Sequence, residues 1–136
     1  MLEQSAVINA TRLGCSLTCK DLDASIRFYR DAIGFAVEQS FSHEDKVVAA
    51  VVSAGDCRIV LNQDDGQLGW DRIKGQGFYL QVNVPGAADV DAAAERIKAT
   101  GATLLNEPAD RPWGARMFQC LDLDGFKVGV SAPLAG

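Results

Sequence analysis

The chain has 136 residues, of which 48% are hydrophobic and 23% are charged, and its formal net charge is −5. This composition predicts a single folded domain and excludes a disordered chain. The acidic balance, with no cluster of Lys or Arg, argues against a nucleic-acid partner, and no apolar run is long enough to span a membrane.

The N-terminal segment lacks the basic start and apolar core of a signal peptide, so we expect a cytoplasmic protein. The sequence has 4 cysteines and 1 histidine, with no C-x-x-C pair. A zinc site built from these residue types is therefore not expected. We expect the cysteines to be reduced thiols, with Cys57 and Cys120 on the core face of the strands.

The first half of the chain, residues 11–62, predicts a strand, a helix and three further strands. The predicted strands are LGCSLTC (13–19), FAVEQSF (35–41), KVVAAVVSA (46–54) and CRIVLN (57–62). The helix begins near Asp21, a good N-cap residue, and ends at Gly34. Its apolar stripe consists of Leu22, Ile26, Tyr29 and Ile33.

A polar connecting segment, residues 63–76, carries Asp64, Asp65 and Asp71 and is expected to be solvated. The second half, residues 77–132, then repeats the first. DVDAAAERIKATGAT (89–103) matches the first helix, with Asp89 as the expected cap. Its strands are GFYLQVNV (77–84), ATLLNE (102–107), ARMFQCLD (115–122) and FKVGVS (126–131). Each half therefore predicts a β-α-β-β-β module.

Strand alternation assigns each residue to one of two faces. The apolar residues should pack beneath the helices, because one helix covers only one face of each sheet. The opposite residues should line a concave surface that carries two cations, Arg58 and Lys127, and no carboxylate. This pattern predicts an α+β fold of duplicated modules, with curved mixed sheets around a concave groove and helices on the outer face.

The repeated β-α-β-β-β order resembles the vicinal oxygen chelate superfamily, as do the helix start DLDASIRFY, the turn PWGARMF and the ending DLDGFKVGV. That superfamily includes glyoxalase I, extradiol dioxygenases, fosfomycin-inactivating enzymes and bleomycin-binding resistance proteins. The resemblance extends from about Arg12 to Ser131. It implies the fold but not one activity, because this fold supports many functions.

The resemblance also implies where metal-dependent members hold their divalent cation. Their His, Gln or Glu ligands correspond to four positions here: Gly14, Val60, Tyr79 and Gly129. None of the four carries a usual ligand, since Gly and Val have no side-chain donor and a neutral tyrosine is a poor one. We therefore expect no metal and no other cofactor. Gly129, in the position of a glutamate, is expected to leave open space.

The remaining candidates for contact with a small molecule lie on the concave face or its rim. They are Arg58, Asn62, Tyr79, Gln81, Trp113 and Lys127. Arg58 and Lys127 occupy matching positions in the two modules and could flank one groove that holds an anion. Either cation could instead pair with an acidic residue, and Trp113 could simply pack its turn.

Three functions remain open from the sequence. The first is metal-free binding of a small polar, anionic or aromatic molecule, as in bleomycin-resistance proteins. The second is a metal-dependent glyoxalase-type lyase or dioxygenase. The third is a metal-independent lyase or isomerase in which Tyr79 acts as the acid or base. In each case a homodimer is expected, because proteins with exposed sheet edges commonly cover them by pairing.

Overall fold

The structure, a computed structural model, describes residues 5–135 and contains two four-stranded sheets. The first module contains β1 (Cys15–Cys19), α1 (Leu22–Arg27), a π-helical turn (Phe28–Ile33), β2 (Ala36–His43), β3 (Lys46–Ala54) and β4 (Cys57–Gln63). The second contains β5 (Leu80–Asn83), α2 (Ala87–Ala99), β6 (Leu104–Arg111), β7 (Ala115–Leu121) and β8 (Lys127–Pro133). The duplicated β-α-β-β-β order and the α+β class are confirmed.

Both sheets are mixed and have the same topology. The strand orders are β1-β4-β3-β2 and β5-β8-β7-β6. In each module the first strand runs parallel to the last one, and the other neighbours are antiparallel. The first and last strands of each module therefore lie side by side, which brings residues distant in sequence onto one face.

The first helix begins and ends as the sequence predicts. The carboxylate of Asp21 accepts a hydrogen bond of 3.1 Å from the backbone N–H of Ala24, which satisfies one free donor of the first turn. Past Arg27 the hydrogen bonds widen to a π-helical turn, which ends at Gly34 with φ at +95°. A left-handed conformation of this kind favours glycine.

The second helix begins earlier than expected. Its N-cap is Gly86, and the carboxylate of Asp89, in the third helical position, accepts a 3.0 Å hydrogen bond from the Gly86 N–H. The prediction of Asp89 as the N-cap was therefore wrong, although its side chain does satisfy a backbone donor there. Within residues 5–135 neither helical segment is long and apolar enough to cross a membrane.

One hydrophobic core lies between the helices and the sheets, and both modules contribute to it. Tyr29 and Leu61 come from the first module, and Ile97, Phe118 and Val128 come from the second; all five are completely buried. Helix α2 contacts the π-helical turn of the first module as well as β6, β7 and β8 of its own sheet. The apolar strand faces thus lie beneath the helices, as the alternation predicted.

The motifs that carry the family resemblance contact one another across the two modules. The Tyr29 hydroxyl donates a 2.7 Å hydrogen bond to Asp122, and the Ser25 hydroxyl donates one of 3.3 Å to Asp124. Burial raises the pKa of Asp122, against the lowering effect of the hydrogen bond from Tyr29. Because these polar groups are paired with each other away from the concave face, the shared motifs stabilise the fold.

The connecting segment is less solvated than its composition suggested. Lys74 Nζ lies 3.2 Å from a carboxylate oxygen of Asp64 and 3.3 Å from one of Asp124, and all three side chains are buried. The backbone N–H of Gly66 and then the Lys74 ammonium hold the pKa of Asp64 below its ordinary value. The prediction of a solvated joint was therefore wrong for Asp64, which is buried and paired with Lys74. Lys74 in turn contacts the Thr18 carbonyl in the first module and Asp124 in the second, and so anchors the segment to both.

Two strands begin later than their alternation suggested. Regular pairing starts at Cys15 in β1 and at Leu80 in β5. Leu13 and Phe78 are apolar residues of the predicted strands and were therefore expected to face the core, but Leu13 is exposed and Phe78 is half-exposed. Alternation continues in these sequences beyond the residues that form strand pairs, so it overestimates the length of the strand.

Candidate functional site

The inner edges of the two sheets meet at a cavity of about 290 Å³ that both modules line. Gly14 and Arg58 come from the first module, and Tyr79 and Gln81 come from the second. The structure therefore brings together three of the predicted contact residues, Arg58, Tyr79 and Gln81, within one chain. We call this space the seam cavity.

Arg58 is not free to act as an anion site. Its Nε donates a 3.0 Å hydrogen bond to Glu38 Oε2, and a second guanidinium nitrogen contacts the same oxygen. The prediction of a concave face without a carboxylate was therefore wrong. Ala36 lies opposite Ser53, and Ser53 lies opposite Arg58, so Glu38, two residues after Ala36, belongs to the same face as Arg58.

Asn62 lies on the concave face, as predicted, but its amide already has partners. It donates to the Ser16 hydroxyl and, over 3.5 Å, to the carbonyl of Leu17, both in the neighbouring strand β1. A separate cavity of about 240 Å³ lies beside it and is also lined by Thr18 and Arg72. Asn62 is therefore separated from Tyr79 and Gln81, which line the seam cavity.

Polar side chains form a hydrogen-bonded row along β5 and the residue before it. The Tyr79 hydroxyl donates to Gln81 over 3.0 Å, and the Gln81 amide donates to Asn83 over 2.9 Å. Each of these residues is two positions from the next, so all three face the concave side. The row fixes the position of the Tyr79 hydroxyl.

The space above Gly129 is filled by Tyr79. A Cβ atom added at Gly129 would lie 3.1 Å from Tyr79 Cε2 and 3.6 Å from Gln119 Cγ. The expectation that Gly129 leaves open space was therefore wrong. The strand pairing explains the contact, because β5 lies next to β8, with Gln81 opposite Gly129. Because glycine has no side chain, it leaves the space that the tyrosine ring occupies.

Lys127 does not complete a pair of cations around one groove. It is the first residue of β8, where it lies opposite Leu121, and it lines neither the seam cavity nor the cavity around Trp113 described next. The predicted symmetric arrangement of Arg58 and Lys127 about a shared ligand is thus not what the structure shows. Because β8 begins at Lys127, this residue lies at the margin of the sheet.

A further cavity lies on the concave face of the second sheet, at the turn between β6 and β7. It measures about 320 Å³. We call it the Trp113 cavity; its lining residues are Tyr79, Asn106, Arg111, Trp113, Met117 and Gln119. Tyr79 and Trp113 were predicted to face a ligand. Arg111 was missed, because the strand containing it was expected to end at Glu107.

The charge of Arg111 has no partner within the part of the chain that the structure describes. No carboxylate of residues 5–135 forms an ion pair with it, whereas Arg116, on the next strand, pairs with both Asp91 and Asp110. The signal that sequence reasoning could have used is the position of Arg111, two residues before Trp113 and at the same turn. The cavity therefore combines an available cation with aromatic walls.

The four metal-ligand positions of the resemblance do not fit a divalent cation. Gly14, Val60 and Gly129 offer no side-chain donor, and the Tyr79 hydroxyl donates to Gln81. Over residues 5–135 no three His, Cys, Asp or Glu side chains come close enough to hold a metal ion. Hard divalent cations require several oxygen or imidazole donors, so no reaction step through a metal can be derived from these residues.

The cysteines differ in their exposure. Burial raises the pKa of the Cys19 and Cys120 thiols to about 11 and also raises that of Cys15. Cys57 is exposed and lines the seam cavity next to Arg58. The prediction that Cys57 faces the core was therefore wrong. It is the first residue of β4, where the sheet no longer covers it.

Comparisons with solved structures show the same fold. A glyoxylase/bleomycin resistance protein/dioxygenase domain from Frankia sp. EAN1pec superposes with a TM-score of 0.78 at 23% identity, covering 93% of this chain and 94% of that one. A glyoxalase/bleomycin resistance protein/dioxygenase from Nocardioides gives 0.73 at 23% identity, covering 96% and 88%. A lactoylglutathione lyase from Agrobacterium tumefaciens gives 0.69 at 20% identity, covering 93% and 96%.

Identities this low support the fold and no particular activity. No curated protein matches the sequence. The model of one protein family does match, over residues 11–130, which is most of the chain. The chain therefore belongs to the Glyoxalase/Bleomycin resistance protein/Dioxygenase superfamily.

Proposed function

We propose that the concave face binds a small polar, anionic or aromatic molecule and that it does so without a metal. The observation that carries this proposal is that the four positions that the resemblance assigns to metal ligands offer no suitable donor set. The ring of Tyr79 covers Gly129, and Gly14 and Val60 supply no donor atoms. A surface that cannot coordinate an ion still offers aromatic and amide groups for binding.

The two cavities that share Tyr79 support this proposal. The seam cavity adds Gln81 and the rim of Arg58, and the Trp113 cavity adds an exposed indole. Ligand sites typically combine apolar walls with a few placed polar groups, in volumes of about 300–1,000 Å³. We propose Tyr79, Gln81 and Trp113 as contact residues. Arg58 borders the site, but its guanidinium is paired with the carboxylate of Glu38.

Metal analysis tests the proposal directly. We expect protein produced in medium supplemented with Zn, Ni, Mn and Fe to contain far less than one metal ion per chain. EDTA should leave its melting temperature unchanged, because no part of the folding free energy would come from coordination. One tightly held ion per chain, with a melting temperature that falls on chelation, would contradict metal-free binding and favour the metal-dependent lyase or dioxygenase.

We also propose that the protein is a homodimer. The support is exposed apolar surface: Leu68, Trp70 and Ile73 project from the connecting segment, and all residues of the edge strand β2 are exposed. Monomeric proteins rarely leave contiguous apolar patches or unprotected sheet edges in water. Sedimentation velocity should give the mass of two chains. A monomer at high micromolar concentration would contradict the proposal.

A further inference from the structure

We propose that the Trp113 cavity selects a planar aromatic anion, such as an aromatic carboxylate, and that Arg111 holds its charged group. The inference rests on the binding function proposed above and assigns the class of ligand. Arg111 is the last residue of β6, and Trp113 lies in the turn that follows. Both side chains therefore lie at one end of the same cavity.

The ion pairs of the molecule leave Arg111 more available to a ligand than Arg58, Arg72 or Arg116. Arg58 is paired with Glu38, Arg72 with Asp64, and Arg116 with two carboxylates. Among residues 5–135 no carboxylate lines the Trp113 cavity or pairs with Arg111. A guanidinium presents a planar fork of donors that matches a carboxylate in two parallel hydrogen bonds. An anion in this cavity therefore meets one cation and no opposing charge.

The amide groups in the cavity also favour an anion. Asn106 Nδ2 donates to Gln119 Oε1 over 3.2 Å, and the Gln119 backbone N–H donates to Asn106 Oδ1 over 2.9 Å. Each amide oxygen thus already accepts a hydrogen bond, whereas Gln119 Nε2 donates none to any residue in the range 5–135. The polar groups left for a ligand are mainly donors, which suits an acceptor such as a carboxylate.

The walls favour a flat ring. Trp113 is 68% exposed, and covering its indole with a planar ligand removes apolar surface from water and allows offset stacking. Tyr79 is held from below by Gly129 and at its hydroxyl by Gln81, so its ring needs little ordering on binding. The volume of about 320 Å³ is at the lower end for ligand sites, which suits a one- or two-ring compound.

The test compares matched probes by isothermal titration calorimetry. We use 2-naphthoate, its neutral counterpart 2-naphthamide, and cyclohexanecarboxylate, which keeps the charge without a flat ring. The wild-type protein should bind 2-naphthoate about tenfold or more tightly than either of the others. The amide loses the charge-assisted hydrogen bonds to Arg111, and the cyclohexane compound loses the stacking of a flat ring.

Two variants test whether Arg111 is the residue that binds the carboxylate of the probe. Arg111→Gln should remove the preference for 2-naphthoate over 2-naphthamide, and Arg116→Gln, the same charge change on the neighbouring strand, should keep it. Equal affinity of the wild type for 2-naphthoate and 2-naphthamide overturns the inference, as does a preference that survives Arg111→Gln or no binding of any probe. The comparison of probes on the wild type holds even if a variant fails to fold. Stoichiometric metal, in contrast, overturns the proposed function itself.

Discussion

The concave faces of the two sheets come from the same repeated module but differ in what they leave available. On the first sheet Arg58 is paired with Glu38, and Asn62 bonds to Ser16. On the second sheet Arg111 has no ion-pair partner within residues 5–135, and Trp113 projects into water. The two modules share one strand topology, whereas their concave side chains differ in whether the arginine is paired with a carboxylate.

The largest expected effect comes from introducing a carboxylate on the second sheet. Gly129→Glu should lower the free energy of unfolding by about 1–3 kcal/mol, because the new side chain must displace the Tyr79 ring from a packed surface. It should also weaken binding of 2-naphthoate, since Tyr79 forms one wall of the Trp113 cavity. Urea unfolding followed by circular dichroism measures the first effect.

Gly14→Glu is the matched control on the first module. The resemblance assigns both glycines to positions of metal ligands, but a Cβ atom at Gly14 meets nothing within 4 Å. Its effect on the free energy of unfolding should stay within about 0.5 kcal/mol. If the two substitutions lower the free energy of unfolding by the same amount, the contact between Tyr79 and Gly129 does not distinguish the two faces.

The sequence predicted the fold well because duplication and alternation are strong signals. The stripe that contains Leu22, Tyr29 and Ile33 identified the helix face, and parity placed Val128 and Val130 in the core. These predictions needed only local spacing, which the backbone geometry of helices and strands determines. The concave face as a polar surface also followed from parity.

The chemistry of the site was less predictable because it depends on strand pairing and on irregular register. Glu38 meets Arg58 because β2 and β4 both pair with β3, and two register shifts in β6 precede Arg111. Parity fails at such points, since each extra residue reverses the face of those that follow. The contact between Tyr79 and Gly129 requires β5 to lie beside β8, and no local sequence pattern predicts that pairing.

A smaller effect is expected from freeing the cation of the first sheet. Glu38→Gln removes the partner of Arg58, so 2-naphthoate should gain a second, weaker site at the seam cavity. The free energy of unfolding should change by less than about 1 kcal/mol, because the pair is partly exposed to water. Calorimetry should then show two sites in place of one.

Glu107→Gln controls for the loss of one negative charge. Glu107 pairs with Lys98 on the helix side of the second module, so its substitution should leave the number of binding sites unchanged. A single site in both variants would mean that the pairing of Arg58 does not explain the difference between the faces.

The smallest effect is expected from modifying Cys57. Iodoacetamide at pH 8 should label Cys57 first, because burial raises the pKa of Cys19 and Cys120 to about 11 and withholds both from the reagent. The label would occupy the seam cavity and leave the Trp113 cavity open. Mass spectrometry gives the site of labelling, and binding of 2-naphthoate should be unchanged. Loss of binding would indicate that the ligand occupies the seam cavity and not the Trp113 cavity.

The most direct measurement is side-chain NMR of the ¹⁵N-labelled protein during titration with 2-naphthoate. If the second sheet provides the binding face, the indole N–H of Trp113 and the Nε–H of Arg111 shift together with saturating ligand, while the Nε–H of Arg58 stays in place. Shifts of Arg58 with Trp113 and Arg111 unchanged would contradict this assignment and place the ligand on the first sheet.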